Sequence, residues 1–190
     1  YMKTKLLKVF TIIFLFAFFS NSLFAQEEEN YSEKTLSITF SPFHLLNEKI
    51  KIFEAMIEKN INQDISVALI GGAGTAEIES DGDNYDATVY ELGGQLKYYF
   101  KNNSKHKLNF GLELLWLDID VSSKTTSETA TGTGLSVGPF FGYKYVADGG
   151  FTFDFQLGYA KIVAHAESEN DEESAETNAP ILNLNFGWSF

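Results

Sequence analysis

The chain has 190 residues, 44% hydrophobic and 15% aromatic, no cysteine and a formal net charge of −12, a size that suits a single domain. Without cysteine there is no disulfide scaffold, thiolate metal site or cysteine nucleophile. All 14 basic residues are Lys, set against 26 acids; a field of that sign repels phosphate backbones and excludes nucleic acid as a partner.

Met2-Lys3-Thr4-Lys5 and Lys8 form a basic stretch ahead of the apolar run Val9 to Phe19. That run, roughly eleven residues, lies within the range of a secretory signal core and short of the ~20 needed to cross a bilayer as a helix. Ser20, Ser22 and Ala25 precede Gln26-Glu27-Glu28-Glu29, which places cleavage after Ala25 with Ser22 as the alternative. The expected organisation is a signal peptide at 1–25, an acidic periplasmic lead-in at 26–34 and a domain at 35–190. Removing the leader leaves 11 Lys against 26 acids, a net charge of −15.

Beyond the lead-in, the sequence alternates with period two in segments of about ten residues between polar connectors, the mark of strands with unlike faces. The first segment, Thr35–Leu45, sets Leu36, Ile38 and Phe40 against Ser37, Thr39 and Ser41. The second, Ile50–Lys59, sets Phe53, Ala55 and Ile57 against Glu54, Met56 and Glu58. The third, Ile65–Ile78, alternates Ile65, Val67 and Leu69 with Ser66 and Ala68, then turns to Gly71, Gly72 and Gly74, which suit curvature or a crowded interior. In the fourth, Thr88–Phe100, Tyr90, Leu92, Leu96, Tyr98 and Phe100 oppose Glu91, Gly93, Gln95, Lys97 and Tyr99.

The fifth, Leu108–Val121, sets Leu108, Phe110, Leu112, Leu114 and Trp116 against Asn109, Gly111 and Glu113, then slips parity to Leu117, Ile119 and Val121. A bulge near Leu115 and Trp116 is expected there. The sixth, Gly134–Val146, opposes Leu135, Val137, Phe141, Tyr143 and Tyr145 to Ser136, Gly138, Gly142 and Lys144. The seventh, Phe151–Val163, opposes Phe151, Phe153, Phe155, Leu157 and Tyr159 to Thr152, Asp154, Gln156 and Gly158. The eighth, Ile181–Phe190, sets Leu182, Leu184, Phe186, Trp188 and Phe190 against Asn183, Asn185, Gly187 and Ser189. Connectors near 60–64, 101–106 and 147–150 are short, whereas 79–86, 122–133 and 165–179 are longer and more polar. This alternation predicts an all-β fold, an eight-stranded antiparallel up-and-down transmembrane β-barrel with its short turns on the periplasmic side.

Volume decides which face is inside. Eight strands enclose a bore that side chains just fill, and the bulky aromatic set would overfill it. The small polar set fits, with Glu54, Glu58, Glu91, Gln95, Lys97, Glu113, Lys144, Asp154 and Gln156 forming a polar lumen network. Lys97 on the lipid face near the midplane would cost about 2–4 kcal/mol. Five acids against two Lys imply that at least one carboxylate is protonated, hydrated or partnered by a cation. Tyr90, Tyr98, Tyr143, Tyr145, Tyr159, Trp116 and Trp188 are placed for interfacial girdles.

The leader, the eight alternating segments and the ending Leu184-x-Phe186-x-Trp188-x-Phe190 resemble small outer-membrane β-barrels of the OmpA, OmpX and OmpW kind. In that group a terminal Phe with apolar residues at every second preceding position is the signal read by the barrel-assembly machinery. The resemblance implies a monomer in the outer membrane of a Gram-negative cell, in contact with outer-membrane lipid and lipopolysaccharide. Its implied roles run over envelope integrity, adhesion and passage of small apolar solutes.

His44, His106 and His165 stand in no convincing constellation, and histidine reactivity needs an oriented partner. A lipid A-modifying enzyme would require Ser and His backed by an acid. Asp81-Gly82-Asp83-Asn84 lacks the spacing and terminal Glu of an EF-hand loop, and the acids of 79–86 and 165–179 read as solvated surface. No catalytic, metal or cofactor site is expected. Pro139 breaks a rule, since it cannot donate a ladder hydrogen bond where there is no water. Hairpin pairing across 122–133 sets it beside Trp116, which predicts either a bulge, the preferred reading, or a seam that admits lipid or solute. The expected function is therefore a non-enzymatic outer-membrane barrel with a structural or surface-interaction role through acidic loops. The alternative is passage of small hydrophobic solutes through a narrow lumen or lateral opening, with a soluble lipocalin-like binder ranked below it.

Overall fold

The computed structural model describes residues 34–42, 50–80, 83–102, 105–123, 129–167 and 172–190. The expected signal peptide and all of the lead-in up to 33 lie outside them, as does His44. Eight strands follow in order: β1 (Leu36–Ser41), β2 (Ile50–Asn60), β3 (Ile65–Ser80), β4 (Asp83–Asn102), β5 (His106–Ser123), β6 (Thr129–Val146), β7 (Phe151–Glu167) and β8 (Glu172–Ser189). Each pairs antiparallel with the next, and β1 pairs β8 to close the barrel. Leu36 and Phe190 exchange backbone hydrogen bonds at this closure (Leu36 N to Phe190 O 3.3 Å, Phe190 N to Leu36 O 2.8 Å). β1 stops one residue before Pro42, whose nitrogen has no proton for a ladder.

One end of the barrel, here the turn end, holds the β2–β3 turn at 61–64, the β6–β7 turn at 147–150 and both Lys34 and Phe190. Gly150 has φ of 92°, a left-handed conformation in which a Cβ would sit 2.6 Å from Ser189 O. At the other, far end, strands run through most of the stretches expected as long loops. β3 reaches Ser80 and β4 begins at Asp83; β5 reaches Ser123 and β6 begins at Thr129; β7 reaches Glu167 and β8 begins at Glu172. The polar composition there belongs to paired strands rather than loops.

The bulge expected at Leu115 and Trp116 is corrected. β5 stays in unbroken register with β6 from His106↔Tyr145 to Ser122↔Thr129, and among the described residues β4–β5 shifts only between Tyr99 and Lys101. Leu115 is buried, and Leu117 packs on the inward cluster Met56, Ala68, Ile70 and Leu115. Direction alternates without a slip; what changes is which direction is apolar.

That change falls at a common depth. Tyr90 to Tyr98, Leu108 to Trp116, Phe151 to Tyr159 and Pro180 to Trp188 bracket outward apolar runs of nine residues, eight steps along the strand. At about 3.4 Å per residue and a tilt near 40°, such a run spans roughly 20 Å, close to the ~25 Å apolar band of membrane barrels. Beyond it the outward positions become Lys51, Glu77, Asp86, Asp118, Asp120, Thr131, Lys161 and Glu176.

Candidate functional site

The bore is built by the inward parity of each strand, and its turn-side half is ionic. Lys97 Nζ, fully buried, lies 2.8 Å from Glu58 Oε2 and 2.7 Å from Asp154 Oδ2. Lys144 Nζ lies 3.0 Å from Glu58 Oε1 and donates to Ser37 Oγ at 2.8 Å. Tyr99 OH and Ser66 Oγ donate to the same Glu58 oxygen at 2.6 and 2.9 Å. Gln156 Nε2 donates to Asp154 Oδ2 at 2.9 Å, and Gln95 Nε2 donates to Gln156 Oε1 at 2.8 Å and Glu113 Oε2 at 2.7 Å. Asn183 Nδ2 donates to Gln156 Oε1 at 3.2 Å. Burial of ions is tolerable only with this degree of pairing and hydrogen bonding.

Glu54 and Glu91 stand apart from that network. They share a row with Gly72 between them, Glu54↔Gly72↔Glu91. A Cβ at Gly72 would overlap the Glu91 carboxyl that lies across it, so the glycine leaves room for that side chain. Their carboxyl groups meet across Gly72. The structure thus places all nine lumen residues inward, seven of them in one network and Glu54 and Glu91 as a separate pair.

Sequence reasoning missed Lys107, which is buried with its ammonium 5.8 Å from the Tyr99 ring centre and gives the bore a third cation. Its signal was the parity it shares with Asn109, one step before the segment was taken to begin. Phe140 was missed too. It is 1% exposed and packs with Ala160 and Ile181 as an apolar plug, its ring lying over Gly111.

The seam at Pro139 and Trp116 is corrected. Pro139 pairs with Leu112, Trp116 pairs with Leu135, and β5–β6 is continuous through both. The proline interrupts the other ladder: β6–β7 pairing stops at Val137↔Lys161 and resumes at Phe140↔Gly158. On the outer face Leu184, Phe186, Trp188 and Phe190 belong to the apolar band, with the Phe186 ring tilted against Phe153 (5.4 Å) and Trp188 meeting Phe151 edge-on (5.7 Å).

His106 Nδ1 lies 2.7 Å from Tyr143 OH, and His165 Nδ1 lies 2.8 Å from Ser174 Oγ. Both are exposed on the outward face of their strands. At the turn end, the hydrogen bond and charge of Asp148, 2.8 Å away, raise the Lys105 ammonium above its ordinary value.

Two solved structures share this architecture. Ail, the attachment invasion locus protein of Yersinia pestis, superposes with a TM-score of 0.50 at 16% identity, covering 83% of this chain and 99% of that one. A major outer membrane protein from Thermus thermophilus superposes with a TM-score of 0.53 at 10% identity, covering 84% of this chain and 100% of that one. The chain has the fold of the small eight-stranded outer-membrane β-barrels. No family model and no curated protein matches its sequence.

Proposed function

We propose that the chain is a monomeric, non-enzymatic outer-membrane barrel, exported on its leader and closed to ions, whose role is exercised by the polar wall it raises beyond the bilayer. The observation that carries this reading is the common depth at which outward side chains change from apolar to charged while the bore stays filled by Lys97, Glu58, Asp154 and Phe140. The outward belt would be insoluble in water, which disfavours a soluble binder. Acids on the wall, Glu77, Asp86, Asp118, Asp120 and Glu176, give it an anionic surface towards a partner. The fold it shares with Ail, named as an attachment protein, supports a surface-interaction role over a purely mechanical one. Leu184, Phe186, Trp188 and Phe190 serve as the assembly signal, and lipopolysaccharide is the lipid against the outer girdle. Passage of small hydrophobic solutes through the lumen is the weaker reading, because Phe140 and the ionic network lie below the apolar far bore.

Cysteine labelling tests the placement cleanly, since the chain has no Cys. In intact cells a membrane-impermeant maleimide is expected to label Asp120→Cys on the far wall and to leave Asp148→Cys at the turn end unlabelled until the outer membrane is permeabilised. Equal labelling of both variants, or the reverse pattern, overturns the reading.

A further inference from the structure

The far bore is lined differently from the rest of the molecule. Leu117, Ile119, Val121 and Ile162 point inward and are only half-buried, although eight strands are narrow enough for side chains to close the space. The reason is that the wall on the β6, β7 and β8 side is built from Ala130, Gly132, Gly134, Ala164 and Ala179. A Cβ at Gly134 would already touch the Leu117 side chain at 3.5 Å. Branched residues on one side and near-absent side chains on the other give the far bore an apolar lining, and eight-stranded barrels can hold one small ligand in such a bore. Its floor is closed by Met56, Ile70 and Leu115 on one side and by Phe140, Ala160 and Ile181 on the other.

The charge at that floor has one sign. Glu54 is 3% exposed and Glu91 is the one carboxylate among the nine lumen residues that stays partly exposed. Glu91 Oε1 has no hydrogen-bond partner, and no ammonium group among the described residues contacts either acid. Glu113, the next acid down, is met by the amides of Gln95 and Asn183. Among the described residues the three buried cations, Lys97, Lys107 and Lys144, all sit in the turn-side half. The described acids do not converge as metal ligands, so an organic cation suits the site better than an inorganic one. The acidic outer wall extends the same field around the mouth.

We propose that the far bore is a binding cup for a small amphipathic cation, its alkyl part against Leu117, Ile119 and Ile162 and its positive end at the Glu54–Glu91 pair. The apolar lining alone would accept any short chain; the carboxyl pair selects the cationic one and rejects fatty carboxylates. The cup rests on the closed barrel proposed above, whose placement the labelling experiment tests separately.

The test uses the mature chain in neutral maltoside micelles, with methyl NMR as readout and octylammonium and octanoate as probes. Octylammonium is expected to shift the Leu117, Ile119 and Ile162 methyls saturably, and octanoate to bind about tenfold more weakly or less, the equivalent of about 1.4 kcal/mol. Glu91→Gln is expected to erase most of that preference while leaving octanol binding unchanged. Equal binding of the two probes by the unaltered chain, or shifts confined to the outward Leu112 and Leu114 methyls, overturns the proposal without reference to any variant.

Discussion

On β5, Leu108 to Trp116 turn their bulky apolar members except Leu115 outward over Lys107, Asn109 and Glu113, whereas from Leu117 to Val121 the same parity carries apolar side chains inward and Asp118 and Asp120 outward. The strand does not slip or bulge between the two stretches. β7 and β8 repeat the exchange, from Tyr159 to Lys161 and from Pro180 to Asn178. On the placement proposed above, the turn-side storey has hydrocarbon outside and ions within, and the far storey has water outside and apolar side chains within. Parity sets where a side chain points, and the medium on each side sets its chemistry.

The largest break in this comparison comes from removing the pivot of the ionic storey. Lys97→Met leaves Glu58 and Asp154 buried without their shared ammonium, and the loss of one partner from a buried ion cluster costs about 3–5 kcal/mol. Denaturant unfolding in micelles should show that loss. Adding Glu58→Gln and Asp154→Asn should restore much of it, because the penalty arises from uncompensated charge. A cost below about 1 kcal/mol for Lys97→Met would mean that the bore solvates its ions and would remove the closed lumen.

Next in size is a charge placed on the outer face of each storey. Leu112 lies at the middle of the Leu108–Trp116 band, and Leu112→Arg is expected to cost about 2–4 kcal/mol. Thr131→Arg, outward on β6 beyond the band, should change stability by less than about 0.5 kcal/mol, as exposed substitutions do. Equal costs at the two positions would show that the far wall is not in water.

The eight strands were legible because alternation survives in every storey, and the nine lumen residues were legible because they share parity with glycine and serine in the turn-side half. What stayed hidden has a common cause. Polar stretches at 122–133 and 165–179 read as loops because the outward face of a wall in water looks like a loop in composition. Taking the hairpin centre from that polar stretch set Pro139 against Trp116, whereas its partner Leu112 lies four positions along β5. The exchange of polarity on β5 read as a bulge for the same reason, since sequence alone carries no mark of where the membrane ends. Phe140 was passed over because one aromatic among small inward residues contradicts a volume argument that holds on average. Gly111, which makes room for its ring, is the local feature that resolves it.

The smallest expected effect makes the comparison sharpest. Lys161 and Glu176 meet at 2.7 Å on the far wall, the same separation as Lys97 and Asp154 in the bore. Their side chains are 53% and 65% exposed, against 0% for both members of the buried pair. Geometry alone would rank the two pairs as equals. In water the Coulomb attraction is screened and both long side chains lose freedom to hold one pose, so Lys161→Met should cost under about 0.5 kcal/mol. Raising the salt concentration should abolish even that, and should leave the Lys97→Met penalty in place because ions do not enter the filled bore. A Lys161→Met cost above about 1 kcal/mol, insensitive to salt, would place that pair in a low-dielectric layer. The boundary between the storeys would then have to move outward past Lys161, taking the charged ring of the wall into the membrane with it.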